Sequence, residues 1–292
     1  MTSHKKQWEK FMEAWNKVGS PGRPTEEEAM IIFKYMQQYL KSRKNTRIVI
    51  LGCTPEYRDM TYLCSRMFNS KVFCVDMSEE IHDLMSTLTI YRNKNETFIH
   101  ANWLKIPILP ESIDIIIGDN PLSNQTKEAQ EELMKELTRI MKKDALFIAR
   151  DDTIPKGFPK NINLEKEFIC QAKKVLDGKM TAKDGSAYIG DVCVRAAALN
   201  TDYRGYAGYH EKQFNRIYNK YRKKKDSLGK MIFIMLDIFH DTFISSGDKA
   251  WTVYPEKMFE KKVSKYFAIK KRIATKSVQL SNGLKIYIMK RK

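Results

Sequence analysis

The sequence predicts an α/β fold in which strands and helices alternate around a parallel sheet. The apolar, β-branched run over residues 47–51 stops at Gly52 and is followed by a helix-like segment. A second apolar run, residues 71–75, is closed by Asp76 about one strand–helix unit later. A strand, a glycine turn and an acidic strand end at this spacing form the nucleotide-binding half of a Rossmann-like fold. We therefore expect a doubly wound sheet that binds a nucleotide at these two strand ends.

The size and composition of the chain are those of a globular protein. Its 292 residues, 42% of them hydrophobic, suffice for one large α/β domain with a sizeable insertion. The longest apolar run, residues 231–239, contains Asp237 and is far shorter than the roughly 20 residues that span a bilayer. Residues 1–10 are polar and lack the apolar core of a signal peptide. We expect no membrane span.

The cysteines indicate a compartment rather than a site. The chain has five cysteines and no CxxC pair, which argues against a disulfide framework and against a zinc site. Free thiols fit a reducing compartment. We expect a cytoplasmic protein without a bound metal.

Basic residues exceed acidic residues by a wide margin. The chain has 52 Lys and Arg against 35 Asp and Glu, a formal net charge of +17. Such an excess favours polyanions, acidic surfaces or acidic substrates. The excess is concentrated in residues 254–292, whose acidic residues are Glu256 and Glu260. This surface could follow phosphates, but lysine-rich solvated faces explain the composition equally well.

Two helices are expected ahead of the sheet. The apolar residues of 5–18 recur at helical spacing, and the glycines and prolines of 19–24 end that helix. Thr25 then caps a second helix that runs to about Leu40. The predicted role of residues 1–44 is a helical lid over a ligand pocket. Packing of this segment against the main domain is the alternative.

Strands and helices alternate over residues 45–150, the predicted core domain. The strands are predicted at residues 47–51, 71–75, 97–100, 113–118 and 145–149. The helices are predicted at residues 57–68, 78–88 and 126–141. This alternation implies parallel strands joined by right-handed crossovers.

The alternation stops where the fifth strand ends. Residues 151–254 look mainly helical and are predicted to be an insertion that forms a substrate pocket or lid. Residues 255–292 are predicted to add a last helix and a β-hairpin. The dipeptide Asn282-Gly283 marks the turn of that hairpin, because Asn and Gly both tolerate a positive φ.

With these motifs the chain resembles the class I S-adenosylmethionine (SAM)-dependent methyltransferases. The resemblance covers about residues 45–150 and, more weakly, 255–292. That family has a seven-stranded sheet whose antiparallel last strand pairs with the sixth. The resemblance therefore implies that sheet, completed by the terminal hairpin, and SAM as the cofactor.

The resemblance assigns a cofactor site residue by residue. The turn after the first strand is similar to the motif that wraps the methionine part of SAM. This turn comprises Gly52, Cys53, Thr54, Pro55 and Glu56. Gly52 allows a close backbone approach, and the helix N-terminus beyond it offers unpaired N–H groups to a carboxylate. Asp76 would accept both ribose hydroxyls, and Met77 would lie against the adenine.

Two further strand ends complete the implied site. Asn102, with Trp103, matches the position that hydrogen-bonds the adenine amine, which is usually Asp in this family. Asp119 and Asn120 end the fourth strand, where substrate and methyl donor meet. Asp119 is assigned to the cofactor and Asn120 to catalysis. Residues 120–123 also partly resemble the Asn-Pro-Pro-aromatic motif of amino-methylating nucleic-acid enzymes, without its second proline and its aromatic residue.

The first motif departs from the usual family pattern of two or three glycines (E/DxGxGxG). Here only Gly52 remains, and Thr54-Pro55-Glu56 replaces the others. A bacterial and archaeal subgroup has a similar Gly-x-Thr-Pro-Glu turn and a tryptophan-rich N-terminal helix pair that ends in Arg-Pro. The chain resembles that subgroup.

Four residues outside the core are candidates for the acceptor side. Tyr206, Tyr209 and His210 belong to a tyrosine cluster with nearby glycines that could form a mobile, substrate-contacting loop. His210 could act as a general base, because an imidazole titrates near neutrality. Arg23 could neutralise a carboxylate. The alternatives are an ordinary loop with packed tyrosines and a surface arginine.

The predicted function is SAM-dependent methyl transfer to a small-molecule acceptor by direct displacement. The positive net charge is compatible with an anionic acceptor. One alternative is an RNA or protein methyltransferase that uses the basic C-terminal surface, although nucleic acid is the less favoured partner. Another alternative is a non-catalytic binding module on the same fold. The acceptor atom, the transferred SAM-derived group and the oligomeric state stay open.

Overall fold

The computed structural model describes residues 15–245, 250–274 and 283–292. Most of the predicted helix over residues 5–18 lies outside these ranges, and so does Asn282 of the predicted hairpin turn. Contacts divide the chain into two compact units. The sheet unit contains residues 24–153 and the later segments that begin at Pro255 and Leu284, and the helical unit contains residues 154–254 together with the segment that ends at Arg23.

The sheet unit is built on seven strands in the order β3-β2-β1-β4-β5-β9-β8. These strands are Arg47–Leu51 (β1), Lys71–Asp76 (β2), Glu96–His100 (β3), Ile113–Asp119 (β4), Met141–Asp151 (β5), Phe267–Ile273 (β8) and Lys285–Arg291 (β9). Strands β1 to β5 are parallel, and β9 lies antiparallel between β5 and β8. The doubly wound sheet and its antiparallel last strand are therefore confirmed.

Helices cover the central strands because those strands are apolar on both faces. The helices of this unit are Glu26–Leu40 (α1), Pro55–Phe68 (α2), Glu79–Ser86 (α3), Lys127–Ile140 (α4) and Glu256–Val263 (α9). In β1 and β4 successive residues are buried regardless of the face they occupy, as expected for a parallel sheet between helix layers. Helices α1 and α2 share one apolar core with β1, β4 and β9.

The helical unit has a core of its own. Its helices are Leu164–Leu176 (α5), Ala182–Asn200 (α6), Glu211–Tyr221 (α7) and Ser227–Phe239 (α8). Phe168, Phe214 and Phe239 pack together at its centre. A short antiparallel pair, Arg204–Gly205 (β6) with Trp251–Thr252 (β7), interrupts the helices. The expected helical character after the fifth strand is present.

The unit boundary falls between Arg23 and Pro24 rather than at the predicted residues 44 and 45. Helix α1 therefore belongs to the sheet unit, with Ile32 and Met36 in the apolar core. The lid and pocket roles assigned to residues 1–44 and 151–254 remain predictions. In the three described ranges, no helix combines the length and apolar character that crossing a bilayer requires.

Candidate active site

The turn after β1 brings three predicted site residues together. Gly52 has a φ of +90°, in the left-handed region that favours glycine, and its N–H donates to the Val75 carbonyl at 2.9 Å. A Cβ atom at Gly52 would lie 3.3 Å from the Trp103 ring and 3.9 Å from Asp76 Oδ2. Trp103 is held in place because its Nε1–H donates to the same Val75 carbonyl at 2.7 Å. The backbone conformation at position 52 and the nearby Trp103 ring thus both favour a residue without a side chain.

The N-terminus of α2 follows this turn directly. Thr54 is the N-cap residue but makes no side-chain capping hydrogen bond, and Pro55 is the first helical residue. Pro55 has no N–H, and the N–H groups of Tyr57 and Arg58 both donate to the Thr54 carbonyl at 3.1 Å, so this end of α2 is suited to an anionic ligand group mainly through the positive end of the helix dipole. Cys53 is buried, and Glu56 is partly buried in the first turn of the helix.

Asp76 ends β2 beside this turn. Its Oδ1 accepts from Ser78 N at 3.0 Å, while Oδ2 is the oxygen nearest Gly52. Burial of the carboxyl group raises the pKa of Asp76 to about 6. Met77, the next residue, is 40% exposed, and its carbonyl lies 2.9 Å from His100 Nε2. The acidic strand end and an exposed apolar side chain are therefore adjacent.

Asn102 lies in an exposed turn after β3. Its Oδ1 accepts from Leu104 N at 2.9 Å, and its carbonyl accepts from Lys105 N at 2.9 Å. The side chain thus performs the turn function that such residues commonly have. An amide oxygen has a second lone pair, so a contact with the adenine amine stays a prediction.

A cluster of buried charged residues at the ends of β4 and β5 was not predicted from the sequence. Arg150 is fully buried, and it donates from Nη1 to Asp119 Oδ1 at 2.7 Å and from Nε to Glu28 Oε2 at 3.0 Å. Asp119 and Arg150 are register partners in the parallel pair. Burial raises the pKa of Asp119 to about 6, although Arg150 acts in the opposite direction. Beside these charges, the Tyr57 hydroxyl is buried and has no hydrogen-bond partner among the described residues.

One signal in the sequence could have indicated this cluster. An arginine directly after the apolar run 145–149 must either reach solvent or find partners, since an unpaired buried charge is very costly. Asp119 ends the preceding strand and was a natural partner. Glu28 offered no comparable signal, because its spacing from Thr25 is that of a capping box, which is also present.

The predicted acceptor-side residues all belong to the helical unit. Tyr206 and Tyr209 have ring centroids 6.0 Å apart, and Tyr209 and His210 have theirs 5.0 Å apart. His210 is 5% exposed; burial lowers its pKa, and its Nε2 has no hydrogen-bond partner in the described part of the chain. The Arg23 guanidinium lies 5.5 Å from the Trp15 ring centroid. The two tyrosines and the histidine thus form one cluster, and the acceptor-binding roles remain predictions.

Cys74, His82 and Glu96 place possible ligand atoms within 4.8 Å of one another, as a metal site would. The guanidinium of Arg58 already binds this group, because it donates to Glu96 Oε1 at 2.9 and 2.6 Å and lies 3.2 Å from His82 Nε2. A cation would have to displace it. Arg58 itself is buried against Glu96.

Part of the chain matches one protein-family model, and its fold is similar to those of several solved structures. Residues 51–149 match the model described as a methyltransferase domain. No curated protein matches the chain significantly. A similar solved structure is the PH0226 protein from Pyrococcus horikoshii OT3, with 13% identity, 92% of each chain covered and a TM-score of 0.51.

Two further solved structures are similar at a TM-score of 0.50. One is a Burkholderia thailandensis 1,6-didemethyltoxoflavin-N1-methyltransferase, with 8% identity over 91% of this chain and 80% of the other. The other is a Rhodobacter sphaeroides protein assigned to the zinc-dependent alcohol dehydrogenases, with 12% identity over 97% and 98% of the two chains. Identities this low show the fold alone.

The domain match and the strand order agree with each other. The part of the chain that matches a methyltransferase domain extends from the end of β1 into β5, and the antiparallel β9 completes a seven-stranded sheet. The sheet unit therefore has the fold of a methyltransferase domain.

Proposed function

We propose that the protein transfers a methyl group from SAM to a small-molecule acceptor by direct displacement. The observation that carries the SAM part is the convergence of Gly52, Asp76 and Trp103 at one edge of a methyltransferase sheet. The small-molecule part is supported by the similar Burkholderia thailandensis enzyme, whose structure contains 1,6-didemethyltoxoflavin and S-adenosylhomocysteine (SAH). At 8% identity that likeness shows the fold alone, so the acceptor class needs an experimental test of its own.

The side chains at this edge fit the chemical groups of SAM. Asp76 provides a carboxylate for the two ribose hydroxyls, and the α2 N-terminus provides the positive end of its helix dipole for the methionine carboxylate. Glu56 provides a negative charge for the methionine ammonium. Met77 and Asn102 are proposed to contact the adenine.

When bound, SAM supplies a methyl group that is already activated, so the chain mainly has to align donor and acceptor. Asn120, at the end of β4, is proposed to orient the acceptor. His210 is proposed as a base for acceptors that must lose a proton. Its lowered pKa keeps the imidazole neutral, and hence able to accept a proton, at pH 7. Tyr206, Tyr209 and Arg23 are proposed to bind the acceptor.

Titration calorimetry with SAM and with SAH tests the cofactor assignment. The wild-type protein is expected to bind both ligands. Asp76→Asn should weaken both by about tenfold or more, because it replaces a charged acceptor of two hydroxyl groups. Asp83→Asn is the matched control, since Asp83 is an exposed aspartate on α3. Absence of SAM and SAH binding in the wild type would contradict the proposal.

Transfer of an isotope-labelled methyl group from SAM tests the acceptor class. The protein would be incubated separately with a filtered small-molecule extract, with total RNA and with total protein. Label is expected in the small-molecule fraction, and Asp76→Asn should reduce it strongly when SAM is limiting. Label confined to RNA or to protein would reject the small-molecule acceptor and leave the methyltransferase assignment intact.

The basic C-terminal segment keeps RNA as the second candidate. Arg272 and Lys285 pair with Glu260 and Glu256, so both acidic residues of residues 254–292 are already engaged. Exposed lysines remain on α9 and β8, namely Lys257, Lys261 and Lys270. If these lysines contact RNA, the affinity for RNA should fall steeply with added salt. The dependence of the affinity on salt should become weaker when all three lysines are changed to Gln.

A further inference from the structure

The turn between β4 and α4 has a strained start. Asn120 has a φ of +51°, in the left-handed region, and its N–H donates to the Arg150 carbonyl at 2.6 Å. For a residue with a Cβ this conformation costs roughly 1 kcal/mol, so the surroundings must hold it. Its Oδ1 is buried and has no hydrogen-bond partner among the described residues. The turn therefore holds an unsatisfied polar atom in a fixed position.

A buried carboxylate from the neighbouring strand holds this turn. Asp151, the last residue of β5, is fully buried. Its Oδ2 accepts from Leu122 N at 3.1 Å, and its Oδ1 accepts from Ser123 N at 3.1 Å and from Ser123 Oγ at 2.5 Å. A fourth donor, Asp152 N, lies 3.2 Å from Oδ1. Three of the four hydrogen bonds thus fix the two residues that follow Asn120-Pro121.

Packing and a second side chain support the same turn. The ring of Pro121 lies against the backbone of Gly118, where a Cβ atom would be 2.9 Å from Pro121 Cβ. Gln130 Nε2 donates to the Leu122 carbonyl at 2.9 Å. These contacts hold the turn with uncharged groups. Asp151 instead places a carboxylate in the interior, and the burial of a charge costs considerable free energy. Burial raises the pKa of Asp151 to about 7, and the hydrogen bonds from the turn act against that rise.

We propose that Asp151 is a positioning residue for methyl transfer: its carboxylate holds Leu122 and Ser123 so that Asn120 keeps its left-handed conformation at the end of β4. The inference rests on the proposed role of Asn120 beside the transferred methyl group. Asp151 itself acts through the turn and does not touch the reacting atoms.

The relative affinity for SAM and SAH tests this role, because the two ligands differ only in the methyl group and its charge. Asp151→Asn turns one acceptor oxygen into an NH₂ group that faces N–H donors. Ser123→Ala removes only the hydroxyl donor. The matched control is Asp114→Asn, since Asp114 is a 2% exposed aspartate near the start of β4 that accepts from Arg47 N and Lys142 Nζ. Calorimetry gives both affinities, and thermal unfolding shows which variants are folded.

In Asp151→Asn, the SAM-to-SAH affinity ratio should fall about fivefold to tenfold, the equivalent of one lost hydrogen bond or slightly more. Ser123→Ala should show a smaller fall, and Asp114→Asn should keep the wild-type ratio. An unchanged ratio in Asp151→Asn and Ser123→Ala, including a parallel loss of both affinities, would overturn the inference. If Asp151→Asn does not fold, Ser123→Ala decides. Wild-type protein that binds neither ligand would instead refute the proposed function on which the inference depends.

Discussion

Gly52 shows how a single glycine can replace several in this turn. Its φ of +90° disfavours any side chain, and the Trp103 ring occupies the space that a Cβ atom would enter. The usual family motif has two or three glycines. Here Thr54 and Pro55 instead begin α2 directly, so the turn is short and needs one flexible residue.

Gly52→Ala should therefore destabilise the protein and weaken SAM binding. The strained backbone and the crowding by Trp103 are expected to cost about 2–3 kcal/mol together. Gly178→Ala is the control, because Gly178 has a φ of +71° but no atom within 4 Å of its Cβ position. Thermal unfolding and calorimetry give both quantities. Equal losses of stability in the two variants would show that Trp103 does not constrain the turn.

The charge of Asp76 should make SAM binding depend on pH. The ionised carboxylate can accept a hydrogen bond from each of the two ribose hydroxyls. In the protonated carboxyl group, one oxygen carries a hydrogen and acts as a donor instead. With a pKa of about 6 in the free protein, the affinity for SAM should fall as the pH decreases through 6. Calorimetry between pH 5 and pH 8 measures this. Asp119 and Asp151 have pKa values of about 6 and 7, so pH dependence left in Asp76→Asn reports on these other buried carboxyl groups.

At the scale of elements, one buried arginine joins three segments of the sheet unit. Arg150 lies in β5 and binds Asp119 of β4 and Glu28 of α1. Glu28 also accepts from Thr25 N at 2.9 Å, so the same carboxylate completes the N-terminal cap of α1. The first turn of α1 is thereby placed at the carboxyl edge of the sheet.

Arg150→Met should strongly destabilise the sheet unit. It removes the cation and leaves two carboxylates buried without it, and breaking a buried ion pair in this way costs about 3–5 kcal/mol. Arg272→Met is the control, because Arg272 pairs with Glu260 at the surface, where such a pair contributes at most about 1 kcal/mol. Urea unfolding measures both. Similar losses in the two variants would contradict the structural role of Arg150.

At the scale of the whole molecule, buried carboxyl groups should oppose stability at high pH. The pKa values of Asp76, Asp119 and Asp151 are raised by burial to about 6, 6 and 7. A carboxyl group whose pKa is higher in the folded state binds its proton more tightly there. Its contribution to stability is complete below the unfolded pKa of 3.8 and is lost as the pH rises through the folded pKa.

A comparison with Asp151→Asn isolates one of these groups and cancels the effect of the net charge of +17. Between pH 4.5 and pH 7 the wild-type free energy of unfolding should decrease relative to the variant by up to about 1.4 kcal/mol per pH unit. The stability difference between the two proteins should therefore shrink with rising pH and level off above about pH 7.5. Urea unfolding at fixed ionic strength checks this, and a constant difference would show that Asp151 ionises normally.

The predictable and unpredictable parts of the fold differ in the range of the interactions involved. The strand at residues 113–118 and the helix that follows Thr126 were predicted because apolar periodicity and capping residues are local signals. The seven-stranded sheet with an antiparallel last strand followed from the family resemblance, whereas the full order of the strands was not predicted. The unit boundary at Arg23 and Pro24 was missed, because the apolar face of α1 does not tell which core it will enter.

The same contrast applies to the candidate site. Gly52, Asp76 and Asp119 were identified from the sequence because each ends an apolar strand, and the carboxyl ends of parallel strands meet at one edge. The sequence by itself therefore determined the class of sheet and the edge at which we propose that SAM binds. Only the tertiary structure decided that Arg150 is paired with Glu28 and that Asp151 holds the turn after Asn120. Those contacts join distant segments, and their strength depends on burial, which no local pattern of residues specifies.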